Sequence, residues 1–305
     1  MIQTRYLASI LIVISLTVIG VKKGWMCGCS DDEQIPNSRL QAITEYREVK
    51  SIINSCRGPK VLVTFDVDNT LIAGTDALAR ISDNGPSWFK LCLSFKYFPE
   101  LLNTEKREKL IDEFLGTLFA QAPRCVFDND VIGLIKQLQD QKCITIGLTA
   151  MGSGSVGPIA SLPEWRRAML VSFKIDFGNT FKDVTFTSFP MKHHNYPCLY
   201  HNILCTNYEA KGPVLGAFLT YYNLTPDLII SFDDQEDMLI SIRNECTKRN
   251  IKFIGYQVLG ANKIPGEWNT SRALLQFDNA IENHKWLTDN EADAILAGKS
   301  NIKVA

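Results

Sequence analysis

An α/β fold built on a parallel sheet is what the sequence predicts, and three observations predict it. Helix-like and strand-like segments alternate along the chain. Val61–Phe65 is a short apolar run rich in β-branched and aromatic residues, the pattern of a strand buried on both faces. Polar residues able to do chemistry stand just past such runs. Asp66 and Asp68 follow the first, Thr149 follows residues 144–148, and Asp233-Asp234 follow residues 228–232. Open α/β sheets carry their chemistry beyond the carboxyl ends of their strands.

Taken in order, the chain begins with an uncharged, mostly apolar run over residues 6–21, with Arg5 before it and Lys22-Lys23 after. A spanning helix needs ~20 apolar residues and no fewer than ~17. Residues 1–23 therefore read as a signal peptide or a short membrane anchor. No small-x-small cleavage pattern follows, and basic residues on both sides give no clean orientation. The expectation is membrane contact through residues 6–21 or export across a membrane, with the bacterial periplasm or cell envelope favoured. Residues 24–36 form a polar, turn-rich linker.

Residues 37–56 read as a helix, with Leu40, Ile43, Val49 and Ile53 on one face and Gly58-Pro59 as its stop. Residues 73–128 are mostly helical: Trp88, Phe89, Leu91, Leu93 and Phe95 make one dense apolar stretch, and Leu110, Ile111, Phe114, Leu115 and Leu118 recur at helical spacing. Residues 129–141 belong to the core as the helix before the second strand. A flexible Gly-Ser-Gly loop follows Thr149 and can present backbone N–H groups to a phosphate. No Gly-Lys-Ser/Thr follows it, so it is not a P-loop. Arg166 and Arg167 open an amphipathic helix and read chiefly as a solvated face. Residues 184–189 and 202–206 read as two strands of a hairpin or small sheet, with His193 and His194 in the loop between them. Residues 213–222 are an apolar helix, 250–259 the last core strand, and 271–305 a helical C-terminus with Thr288 and Glu291 as a capping box. The core thus covers 37–72 and 129–290, with 291–305 as a C-terminal helix or tail.

Composition narrows the function. The 305 residues are 46% hydrophobic and 21% charged, ordinary for a globular protein. A formal net charge of −1, with no basic run among aromatics, gives no basis for binding nucleic acid. The nine cysteines are odd in number and carry no paired Cys-x-x-Cys elements. Cys143 and Cys205 read as buried thiols, and Cys198 and Cys205 are able to pair if the domain is exported.

Two acids one residue apart at a strand end can hold a hard cation, attack an electrophile and move a proton. Matching chemistry follows in order: Asp66-x-Asp68-x-Thr70, then Thr149, then Lys211 ahead of an apolar helix, then Asp233-Asp234 with Asp237. This ordered set resembles the haloacid dehalogenase-like (HAD) superfamily of aspartyl-phosphate enzymes, over about residues 60–260. Residues 202–207 leading into Lys211, and 226–234, also resemble a bacterial HAD-like family of unassigned function seen often in intracellular bacteria.

The resemblance implies a Rossmann-like HAD core, with residues 73–128 as a helical cap between the first and second motifs. It implies a Mg²⁺-dependent phosphatase acting on a small phosphorylated substrate. Asp66 is then the nucleophile, and Asp68 the acid and base. Asp66, the Asp68 carbonyl and Asp233 are the metal ligands. Thr149 hydrogen-bonds the phosphoryl group and Lys211 neutralises charge, with Thr70, Asp234 and Asp237 in support. Related sequences often place an Arg close after the second-motif Thr; here Ala150 and Met151 stand there, and Arg166 or Arg167 is left to supply that charge. Dehalogenases lack an acid at position 68, which favours phosphate chemistry. The alternative is a catalytically silent HAD-fold binding or interaction protein at a membrane.

Overall fold

The computed structural model describes residues 38–80 and 103–301. Its centre is an eight-stranded sheet in the order β1-β10-β9-β2-β5-β8-β7-β6. The strands are β1 (Ser38–Ile43), β2 (Val61–Phe65), β5 (Ile144–Thr149), β6 (Val184–Thr185), β7 (Cys198–Tyr200), β8 (Ile203–Cys205), β9 (Leu228–Asp233) and β10 (Lys252–Val258). Every pair from β1 across to β8 is parallel; β7 and β6 extend that edge antiparallel. The fold is α/β with a mostly parallel central sheet, as the alternation of segments predicts.

Successive side chains of β2 leave opposite faces of the sheet. Val63 and Phe65 join one apolar cluster, which includes residues of α1 (Lys50–Ser55), α3 (Asp130–Asp140) and α4 (Leu162–Ser172). Leu62 joins the other, with α5 (Lys211–Tyr221) and α6 (Glu236–Lys248). The sheet is thus covered by helices on both sides, which is why its central strands read as continuous apolar runs. Phe65 stacks on Phe232 of β9 at 4.9 Å, and Phe232 on Tyr256 of β10 at 5.2 Å.

Residues 73–128 are framed by two short strands, β3 (Ala73–Gly74) and β4 (Arg124–Cys125), paired antiparallel. Between them α2 (Thr104–Gln121) packs on α7 (Thr270–Glu282) through Phe114 and Phe277, 4.5 Å between ring centres. Buried Asp76 accepts hydrogen bonds from the Trp286 indole at 2.8 Å and from the Asp289 amide at 3.0 Å, at the start of α8 (Asp289–Asn301). The segment is therefore anchored to the C-terminal helices.

Three expectations are corrected. Residues 37–56 do not make one helix: Ser38–Ile43 is an edge strand parallel to β10, and only Lys50–Ser55 is α-helical. Leu40 and Ile43, three apart, share a face in a helix but leave opposite faces of a strand. Here Leu40 packs in one cluster and Ile43 in the other, so pairing along β10 decides the conformation. The expected 184–189 strand spans only two residues. The hairpin is instead β7–β8, turning through His201 and Asn202 at φ 45° and 59°, and β8 joins the main sheet beside β5. The C-terminal helix is two, broken near His284 at φ 51°; the capping box at the start of the second does form. The apolar residues 88–95 and the run 6–21 lie outside the described residues. Among the described residues no helix is long and apolar enough to cross a membrane.

Candidate active site

The carboxyl ends of β2, β5 and β9 meet at one edge of the sheet, because these strands are parallel and β2 lies between the other two. Asp66 follows β2 directly, and its amide donates to the Phe232 carbonyl at 2.8 Å. Asp233 ends β9 and Thr149 ends β5. Lys211 opens α5, and its position depends on Gly212. A Cβ there would stand 2.1 Å from the Ser241 carbonyl of α6, so only glycine lets the two helices seat this closely.

Lys211 is fully enclosed. Its Nζ donates to Asp66 Oδ1 at 2.6 Å and to Asp233 Oδ2. Asp66, Asp233 and Asp234 each offer a carboxylate oxygen, and these oxygens lie within 4.8 Å of one another. Burial raises the Asp66 carboxyl above its ordinary range, while Lys211 pulls the other way. Burial likewise pushes Asp233 up to about 7, and Asp234 rises through burial and then through its two acidic neighbours. Burial works against the Lys211 charge, but Asp233 and Asp66 together hold the ammonium above its usual value. Among the described residues the floor of the site therefore holds three carboxylates against the Lys211 cation.

The family profile described as "Protein of unknown function (DUF2608)" matches residues 42–293. The chain belongs to that family. A protein of Rickettsia bellii (strain RML369-C) described as "Uncharacterized protein" is 21% identical over 261 residues, covering 83% of this chain and 86% of its own. No solved structure matches the chain.

In this DUF2608 chain the rim of the site is built differently from the floor. The Asp68 side chain is 54% exposed, yet both its oxygens are held by Arg166, at 2.9 and 2.7 Å. Arg166 is not on a solvated face. It is 1% exposed, its Nε donates to Met151 Sδ at 3.3 Å, and its guanidinium lies 5.0 Å from the Trp165 ring centre. Nothing in the helical spacing of α4 marks Arg166 as buried. The available signal was the missing Arg after Thr149, since Met151 stands in that place and contacts the guanidinium. Arg124 lies over the same Trp165 ring at 5.4 Å. It donates to the carbonyls of Leu118, Phe119 and Ala122 at the end of α2, and burial lowers it to about 10.

The remaining expected residues are placed as follows. Thr149 is 2% exposed, and its Oγ1 accepts from the Met151 amide at 3.2 Å. Thr70 is fully buried; its carbonyl accepts from the Tyr46 hydroxyl at 2.9 Å, and its Oγ1 makes no hydrogen bond. Asp237 is exposed in the first turn of α6, accepts only from the adjacent Met238 amide, and is outside the acidic group. Amides of the glycine-rich loop are engaged within the protein, Ser153 with Asn207 and Gly157 with Asp112. Its Gly157 instead serves packing: a Cβ on Gly116 of α2 would stand 2.7 Å from the Gly157 Cα.

Proposed function

We propose that the protein is a Mg²⁺-dependent phosphoric monoester hydrolase of the HAD type, working through an aspartyl-phosphate on a small phosphorylated substrate. The observation that carries this reading is the charge imbalance on the site floor. Asp66, Asp233 and Asp234 crowd within 4.8 Å of one another, with Lys211 as their one ammonium among the described residues. Three neighbouring carboxylates, two of them buried and the third half-buried, are costly to hold together unless more positive charge joins them. The donor set is all hard oxygen, which suits Mg²⁺. Asp66, Asp233 and Asp234, with the Asp68 carbonyl, would hold the ion, whose contribution is to offset phosphoryl charge.

The chain's own groups divide the rest of the work. Asp66 attacks phosphorus and the substrate oxygen leaves. Lys211 keeps the Asp66 carboxylate oriented and offsets charge on the phosphoryl group. Thr149, with its hydroxyl at the end of β5, is placed to hydrogen-bond a phosphoryl oxygen. Asp68 gives its proton to the leaving oxygen and then takes one from the water that opens the acyl phosphate. In the ionised pair Arg166 holds both Asp68 oxygens; when Asp68 carries the proton it gives to the leaving oxygen, one of these bonds opens and the other keeps the carboxyl oriented. Residues 73–128 serve as a helical cap that covers the site and selects substrate. Residues 6–21 hold the protein at a membrane or direct it across one.

The test is a phosphatase screen of the purified protein over small phosphate esters, with and without Mg²⁺, beside Asp66→Asn. Activity that survives excess chelator overturns the metal assignment. Absence of all phosphatase activity, with partner binding retained, favours the silent binding protein.

A further inference from the structure

Four cysteines lie as two neighbouring pairs, Cys56 with Cys143 and Cys198 with Cys205, all as free thiols. The pairs are built differently. Cys198 of β7 and Cys205 of β8 are directly opposed in antiparallel register, the third pair from the His201-Asn202 turn. Opposed residues in such a ladder have Cα atoms ~4.5–5.5 Å apart. That lies inside the ~4.4–6.8 Å range spanned by disulfides. The two side chains leave the same face of the hairpin, and their thiols interact directly. Cys56, by contrast, donates its S–H to the Ile52 carbonyl of α1 at 3.3 Å, and no hydrogen bond joins it to Cys143.

Acidity separates the pairs in the same direction. The contact with Cys205 holds the Cys198 thiol below its usual value, against the effect of burial. That contact and burial both raise Cys205. Burial raises Cys56, and burial together with the neighbouring Cys56 raises Cys143 to about 11. Cys198 is also half-buried, whereas Cys205, Cys56 and Cys143 are buried. One thiol of one pair thus stands directly opposite a second cysteine and is open to a small-molecule partner, as exchange requires.

We propose that Cys198 and Cys205 form a reversible disulfide by exchange with a small-molecule disulfide of the glutathione type. The Cys198 thiolate attacks one sulfur of the small disulfide, forming a mixed disulfide and releasing one small thiolate. Cys205 loses its proton to solvent and attacks the Cys198 sulfur. The Cys198–Cys205 bond forms, and the second small thiolate leaves. The protein loses two electrons and two protons, and the small disulfide is reduced to two thiols. The bond closes a hairpin that borders the candidate site: Cys205 is the register partner of Thr149, and the Thr206 amide donates to the Thr149 carbonyl at 2.9 Å. Neither cysteine belongs to the acidic floor, so the inference stands or falls apart from the phosphatase reading.

The test uses the full chain, folded, incubated with excess glutathione disulfide, acid-quenched, denatured, alkylated and digested with trypsin without reduction. Cleavage after Lys192 and Lys211 places both cysteines on the single peptide 193–211. The expected product is that peptide, lighter by two hydrogens and unalkylated, restored to two alkylated thiols by dithiothreitol. Cys56 and Cys143 remain alkylated throughout. Cys205→Ser should stop at a glutathione adduct on Cys198, and Cys198→Ser should leave the peptide unreacted. The proposal is overturned if peptide 193–211 stays fully alkylated, if glutathione persists on Cys198 of the unaltered protein, or if Cys56 and Cys143 are the pair that joins. The unaltered protein decides these outcomes whether or not either variant folds.

Discussion

Asp66 and Asp68 are separated by one residue and stand in opposite surroundings. Asp66 belongs to the floor, 7% exposed and bonded to a lysine that a second carboxylate shares. Asp68 belongs to the rim, with a half-exposed side chain held by an arginine from α4. The floor has more acids than cations, whereas the rim pair is balanced. On the proposed reading the difference divides their chemistry: a buried carboxylate fixed beside a lysine and the proposed metal site is suited to attack, and one reaching toward solvent beside an arginine is suited to move protons.

The comparison breaks most severely at Asp66. Asp66→Asn keeps the shape and removes the nucleophile, so turnover should fall by about 10³-fold or more, read as phosphate release by protein that still melts cooperatively. Lys211→Met should act on the floor through stability. It leaves buried carboxylates without their cation, a loss on the order of 3–5 kcal/mol when one partner of a buried pair is removed. Thermal melting without metal should show it, and Mg²⁺ should recover part of it.

At the rim the effects are smaller and depend on the substrate. Asp68→Asn and Arg166→Gln should both slow esters with poor leaving groups most, by about 10²-fold, while esters with good leaving groups change less. Equal slowing across the leaving-group series removes Asp68 from the role of acid. Arg166→Lys keeps the charge without the two-pronged grip and should rescue only in part.

Acidity distinguishes the two regions further. Asp233, raised by burial to about 7, binds its proton more tightly folded than unfolded, where ~3.9 applies. The metal-free protein should therefore lose stability as pH rises from about 4 through about 7. Added Mg²⁺ should raise the melting temperature more at pH 8 than at pH 5. An equal rise at both pH values contradicts the floor as a metal site. The smallest effect is expected from deleting residues 1–33, which should leave the melting temperature and any activity unchanged; a chain that no longer folds would place that segment in the core.

The floor was legible in the sequence because each of its groups sits at the end of an apolar run or the start of a helix. Asp66, Lys211, Asp233 and Asp234 needed only strand ends, a helix start and their order along the chain. The rim was legible only in part: Asp68 and the want of an Arg after Thr149 could be read, but the pairing of Arg166 with Asp68 depends on a helix 98 positions further along the chain, through tertiary packing that local periodicity does not encode. The edge strand β1 was lost for a related reason: Leu40 and Ile43 have a spacing that fits a helix, and only β10 makes them a strand. Asp237 shows the converse, an acid whose spacing fitted the motif but whose side chain points to solvent.

The most direct test of the account is chemical trapping of the acyl phosphate. The protein is mixed with a phosphate ester and Mg²⁺, quenched during turnover, and treated with borohydride, which reduces an aspartyl-phosphate to homoserine. The account predicts homoserine at position 66 alone, dependent on both ester and Mg²⁺, and absent from the Asp66→Asn variant. Phosphate release with residue 66 unmodified, or modification at Asp68 or Asp233 instead, would contradict it.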